Sequence, residues 1–199
     1  MSVESISVKK IAKLLNALLY AAMTCNVVIL YLVPSAVFLG DGGGLLEGVR
    51  AYFEILLFPG EDDVVMAAVF NTALMWLWCW IEFDAYQLVL MLFLAFSGVQ
   101  TLRILRQAHG VVGTILAGNP FSMENAHSLY HAARSCFWIA FAALVRVVFN
   151  VAYYRSPQPL ASYNALFVPL FAMAGLLCLV MSVLFRQAAE LKAENDLTI

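Results

Sequence analysis

Two histidines four residues apart, His127 and His131, follow Glu124 in this sequence. Their spacing is the closest thing here to metal chemistry. On a helix the three side chains share one face, at i, i+3 and i+7, and imidazoles at i and i+4 can hold one ion. A third strong ligand would be needed, and His109 is the sole remaining histidine of the three. The pattern therefore reads first as the polar face of a helix, with no metal and no cofactor expected. The four cysteines, Cys25, Cys79, Cys136 and Cys178, lie far apart in apolar segments with no CxxC pair, and read as small buried hydrophobes. No Ser-His-Asp order, phosphate loop or zinc-protease motif occurs, so a non-enzyme is expected.

A second chemistry-bearing group is built around Arg146, in "WIAFAALVRVVFNVAYY". An arginine central to such a run costs ~2.5–3.5 kcal/mol to insert, so it turns inward and takes a partner. Asn150 stands one turn further along the same face. Glu82 and Asp84, at the start of another apolar run, are the nearest carboxylates in the expected threading. A polar cluster of Arg146, Asn150, Glu82 and Asp84 is expected, with Arg146 paired to Asp84 or Glu82, as an interhelical staple or as a ligand site.

The elements that position these residues are membrane helices. The chain has 199 residues, 63% hydrophobic and 12% charged, with mean hydropathy +0.86. Those values belong to an integral membrane protein. The apolar runs are continuous and lack the alternation of barrel strands, which excludes a β-barrel. A net charge of −2 leaves no nucleic-acid footprint. The expected fold is all-α: one transmembrane domain, residues 1–199, forming a four-helix bundle with an extra outer interfacial or re-entrant helix. Spans are expected at about 11–39, 85–105, 135–154 and 163–185, each near the ~20 residues a bilayer requires. They leave an outer loop over 40–84, a cytoplasmic segment over 106–134 and a cytoplasmic tail over 186–199.

Basic residues set the orientation. With both termini inside, the inner side holds Lys9, Lys10, Lys13, Arg103, Arg106, Arg134, Arg186 and Lys192. The outer side holds Arg50 and Arg155. Eight against two is a strong positive-inside bias. Making Val64–Trp80 a fifth full span would move Arg103, Arg106 and Arg134 outside and erase most of that bias. The segment is therefore placed on the outer side, with Trp76, Trp78 and Trp80 as an aromatic belt. The preceding loop carries Asp41, Glu47, Glu54, Glu61, Asp62 and Asp63 against Arg50, and its "LLEGVRAYFEILLF" is spaced as a short amphipathic helix.

Gly118-Asn119-Pro120 is turn chemistry, and Ser122 is placed as a helix N-cap accepting from the amide of Asn125. Such a cap contributes ~1 kcal/mol. Glu124 suits the positive end of the helix dipole. A full capping box would need Glu or Gln at 125, where Asn stands. The helix then runs through Arg134, which snorkels at the membrane surface, into the third span.

Two stretches carry a family resemblance: "NPFSMENAHSLYHAAR", Asn119 to Arg134, and "FRQAAELKAENDLTI", Phe185 to Ile199. Together they resemble the bacterial family catalogued as domain of unknown function 2975. The matching residues are Phe121, Ser122 and Leu129 of its turn and Glu194, Asn195, Asp196, Leu197, Thr198 and Ile199 of its terminal motif. Asn119 and Pro120 complete the turn. The second half of the chain matches well and the first half by hydropathy alone. The resemblance implies a four-span inner-membrane protein with no established activity. It also implies a gene neighbourhood shared with a small helix-turn-helix regulator.

Both signature stretches fall on the cytoplasmic side by Lys/Arg counting, and the tail is expected to pack against residues 118–131. The expected function is that of a non-enzymatic envelope sensor or tether acting on a cytoplasmic partner. The alternatives are a small transporter or channel component, or protection against membrane-active peptides. The expected partners are the lipid bilayer, a cytoplasmic helix-turn-helix regulator and a second copy of the chain in a homo-oligomer, without direct nucleic-acid binding.

Overall fold

The computed structural model describes residues 3–40, 49–50, 53–54, 57 and 65–196. Most of the acidic loop, including Asp41, Glu47, Glu61, Asp62 and Asp63, lies outside the described residues, and so do Leu197, Thr198 and Ile199. The side chains of Glu82 and Asp196 are likewise outside the description.

Five long helices account for most of the chain. They are α1 (Val3–Leu39), α2 (Val65–Glu82), α3 (Ala85–Leu116), α4 (Met123–Tyr154) and α5 (Tyr163–Asp196), with a 3₁₀ turn at Gln158–Ala161. Among the described residues there is no strand. Four helices, α1, α3, α4 and α5, are long and apolar enough to cross a membrane. The protein is an all-α, multi-pass membrane bundle.

The apolar faces that a soluble protein would hide stay open here. Leu176 and Leu177 of α5 and Val148 of α4 are more than half exposed, as suits side chains solvated by acyl chains. Many of the buried positions are small or polar. On α4 they fall at Ala132, Cys136, Ile139, Ala143, Val147 and Asn150, a repeat of three or four residues that marks one helix seam. Small residues let helix backbones approach closely where no hydrophobic effect drives association.

Each spanning helix packs antiparallel on the next, in the order α1, α3, α4, α5. Leu30 of α1 lies on Gly98 of α3, and a Cβ at Gly98 would stand 2.6 Å from a Leu30 methyl. Phe137 of α4 lies on Gly175 of α5, where a Cβ would meet the ring at 3.1 Å. For orientation, the end holding Leu39, Asp84 and Tyr154 is called the loop end, and the end holding the α3–α4 turn and the C-terminus the tail end.

Helices α3 and α4 are each 32 residues long, about 48 Å at 1.5 Å per residue. That exceeds the ~30 Å hydrocarbon thickness. The segment expected as a cytoplasmic connection, 106–134, is therefore mostly a continuation of both helices, turning at Ala117–Ser122. Helix α1 runs through Pro34 and α5 through Pro169 without interruption.

Helix α2 sits at the loop end against α1. Tyr31 donates its hydroxyl to the Val69 carbonyl, Ser35 donates to Thr72 at 3.0 Å, and the Trp76 indole donates to the Tyr31 carbonyl at 3.2 Å. Phe83 then stacks on Phe38 and packs with Val33, Val37 and Met91.

Candidate functional site

At the loop end the four spanning helices enclose a cavity of about 800 Å³. Asp84, Tyr86, Tyr153, Tyr154 and Asn164 line it near the helix ends, and Arg146 lines it from further along α4. Apolar walls come from Leu90, Phe93 and Phe167. Arg146 lies eight residues before Tyr154, so it stands about 12 Å below that rim.

Arg146 is 7% exposed. Its Nη1 donates to Asn164 Oδ1 at 3.3 Å, and its guanidinium lies over the Phe93 ring at 4.8 Å from the centroid. A cation over an aromatic face gains roughly 0.5–2 kcal/mol, less than the insertion cost of an arginine. The Arg146 Nε and the Asn150 Oδ1, both buried, have no hydrogen-bond partner among the described residues.

The expected pairing of Arg146 with Asp84 is not what forms. Asp84 accepts instead from the Tyr153 hydroxyl at 2.9 Å. Asp84 caps α3, where its own amide donates to Gln87 Oε1 at 3.1 Å, and its carboxylate is taken by Tyr153, while the Arg146 guanidinium turns to Asn164 and Phe93. The Tyr153 hydroxyl, with help from the Ala85 amide, holds the Asp84 carboxyl below the usual aspartate range. Among the described residues the ion pairs are Arg50–Glu54 and Arg186–Glu190, both on the surface. Asn164, the partner Arg146 does take, was missed from sequence. Its signal was a lone amide opening an otherwise apolar span.

The tail end holds the other candidate residues. Gly118, with φ +83, gives its amide to the Ile115 carbonyl at 3.1 Å, and the Asn119 amide bonds Thr114 O at 3.0 Å. This closes α3 with a glycine in the left-handed region, where a Cβ would be strained. Ser122 caps α4 by accepting from the Asn125 amide at 3.2 Å. Asn125, read from sequence as a failed capping box, is fully buried and does a different task. Its Oδ1 accepts from the Thr114 hydroxyl at 2.8 Å and its Nδ2 donates to the Pro120 carbonyl at 2.6 Å. One side chain thus ties both helices and the turn between them.

Helix α5 packs against this turn. Lys192 donates to Asn119 Oδ1 at 2.9 Å, Phe185 meets Phe121 at 5.7 Å between ring centroids, and Ser182 donates to the Ala126 carbonyl at 2.7 Å. Glu194 and Asn195 lie exposed on the last turn of the same helix. The structure thus brings the described part of the tail and the Asn119–Ser122 turn together.

The histidines do not converge. His127 and His131 face each other at 2.8 Å between their Nε2 atoms, one donating and the other accepting. Burial, then the neighbouring His127, then Arg134 hold His131 below the ordinary histidine value. His109 is elsewhere, between α3 and α1, hydrogen-bonded to Asn16 Oδ1 at 2.7 Å and to the Tyr20 hydroxyl at 3.2 Å. Among the described residues no group of three His, Cys, Asp or Glu side chains is placed to hold a metal ion.

The sequence profile of a family described as a protein of unknown function, DUF2975, matches residues 80–199. The chain belongs to the DUF2975 family. The match opens just before Asp84 and takes in α3, α4 and α5, so the DUF2975 region includes Arg146, Asn164 and the whole tail-end turn. Helix α1 and most of α2 precede it. No curated protein and no solved structure matches the chain.

Proposed function

We propose that this DUF2975 protein is a non-enzymatic sensor or tether in a bacterial inner membrane, with both termini in the cytoplasm and its loop end outside. One observation carries the reading: the bundle bears a cavity with a few charged and polar groups at one end and a tied turn-and-tail surface at the other. The cavity opens among Asp84, Tyr153 and Arg146 at the loop end. The opposite surface presents Asn119, Phe121 and Lys192, with Glu194 and Asn195 exposed beside them. The Lys/Arg distribution supports placing that surface inside. Its mixed charge suits a protein partner, and a small helix-turn-helix regulator is the proposed one. A homo-oligomer is compatible with this reading, because α1 and α5 stand at the edges of the row.

The test is affinity purification in mild detergent from the native host, comparing the full chain with one lacking residues 186–199. A DNA-binding regulator recovered with the full chain and lost with the truncated one is the expected result. Recovery of the protein alone from both would refute the tethering role. Substrate flux abolished by changes at Arg146 would replace it with transport.

A further inference from the structure

We propose that the loop-end cavity is a binding site for an anionic amphiphile: a single negatively charged oxygen headgroup held by Arg146, with an apolar body on the Leu90, Phe93 and Phe167 walls. The inference deepens the sensing reading and rests on it only for what binding would be used for.

The size is right. A cavity of about 800 Å³ falls within the ~300–1,000 Å³ typical of small-molecule sites, which are mostly apolar with a few placed polar groups. The chemistry is right as well. Arg146 is more than nine-tenths buried, lines the cavity, and keeps its Nε without a partner among the described residues. A guanidinium offers five donors in a planar fork that matches a carboxylate or phosphate edge. Asn164 engages Nη1 by a neutral contact at 3.3 Å, and Phe93 covers the face of the plane, so the ring screens the cation without neutralising it. A buried charge in hydrocarbon is tolerated when paired, and an anion from outside the chain would pair it.

The rim narrows the choice further. Asp84 lines the same cavity with its carboxyl held in the charged form by Tyr153. A second fixed negative charge in one cavity disfavours a dianion, so the ligand carries one charge. Tyr86 and Tyr154, amphipathic at the rim, suit a ligand whose body is apolar. A fatty-acid carboxylate and the phosphodiester of an anionic lipid share this chemistry.

The probe is cis-parinaric acid, a fluorescent C18 carboxylate, titrated into the full chain in phosphatidylcholine nanodiscs, beside its methyl ester. Saturable binding near one per chain is expected, weakened at least tenfold in Arg146→Gln and at least tenfold for the ester, with Arg146→Lys intermediate. If Arg146→Gln does not fold, the acid-to-ester comparison on the unaltered chain still decides. A second arm uses nanodiscs containing phosphatidylglycerol and native mass spectrometry. Arg146-dependent retention of phosphatidylglycerol assigns a phospholipid source; parinarate binding without such retention assigns a free acid. Equal affinity for acid and ester, together with no retained phosphatidylglycerol, overturns the proposal. So does a loss of stability in Glu82→Gln matching that in Arg146→Gln with no binding in the unaltered chain, which would make Arg146 half of an internal ion pair. The binding titration does not depend on partner capture, so a failed binding test leaves the tether reading standing, and the reverse holds too.

Discussion

Asn125→Ala should be one of the most damaging single changes at the tail end, although the side chain is polar. The side chain is fully buried and makes two hydrogen bonds, at 2.8 Å from Thr114 and 2.6 Å to Pro120. A typical hydrogen bond contributes about 0.5–1.5 kcal/mol net, and stranding a buried partner costs about 1–3 kcal/mol. Two circumstances reduce the larger figure. Thr114 keeps a second acceptor, the Val111 carbonyl at 2.8 Å, and Pro120 is only half-buried, so water reaches its oxygen. Each bond is therefore taken at about 1 kcal/mol, and the vacated amide volume adds a little, for a total of roughly 2–3 kcal/mol. Ser122→Ala, which removes only the cap bond, should cost about 1 kcal/mol. Reversible unfolding in mixed micelles, followed by helical signal against denaturing-detergent fraction, measures both. The two changes share the turn, so the double variant should fall short of the sum. If Asn125→Ala proves no worse than Ser122→Ala, the reading of Asn125 as the tie between α3 and α4 is wrong.

Gly98→Ala should loosen the α1–α3 contact by about 1–3 kcal/mol, since the new methyl would stand 2.6 Å from Leu30; cysteine crosslinking yield between the two helices reads the change. Lys192→Ala should change stability by less than about 1 kcal/mol, because its bond to Asn119 is exposed, and a shift well beyond that would show that the tail is held more firmly than one surface contact allows. His131 has its folded pKa lowered, so the unfolded chain binds its proton first. Stability should therefore be full above the ordinary histidine value of 6.5 and fall as pH drops through and below it, and His131→Gln should flatten that part of the pH profile in the same unfolding assay.

The spans were legible because hydrocarbon solvates one face of every helix and leaves long apolar runs in the sequence. Their ends were less so. The helical extensions of α3 beyond Leu105 and of α4 before Ser135 carry Arg106, His127 and Arg134, and a hydropathy reading stops where charge begins although the backbone does not. Ser122 was legible as a cap because cap chemistry is local. Asn125 was not, because its partners, Thr114 and Pro120, are supplied by a turn whose closure depends on Gly118 adopting φ +83. Arg146 announced itself by the cost of its charge. Its partner did not, since choosing between Asp84 and Asn164 needs the relative depth of helix ends, which counting along the chain does not supply.

That depth also decides how the two ends of the protein are linked. Helix α5 is tied to α4 near the loop end by the Asn164 to Arg146 bond, and near the tail end to α4 by Ser182 and to the turn before α4 by Phe185 and Lys192. Pro169 lies between the two sets of ties, where an α-helix lacks one backbone hydrogen bond and bends most easily. The Asn164 tie is the weaker kind, a 3.3 Å contact to a charge that gains more from an anion than from an amide. A ligand that takes Arg146 from Asn164 therefore frees the short segment of α5 before Pro169 while leaving the longer segment docked. Substituting Pro169 by alanine restores the missing donor and stiffens the joint. On this logic Pro169→Ala should leave amphiphile affinity nearly unchanged, while enlarging any ligand-dependent change in hydrogen exchange at residues 182–192, because a stiffer joint passes the motion on. Exchange there that responds equally in both proteins would show that Pro169 does not act as a joint between the two segments.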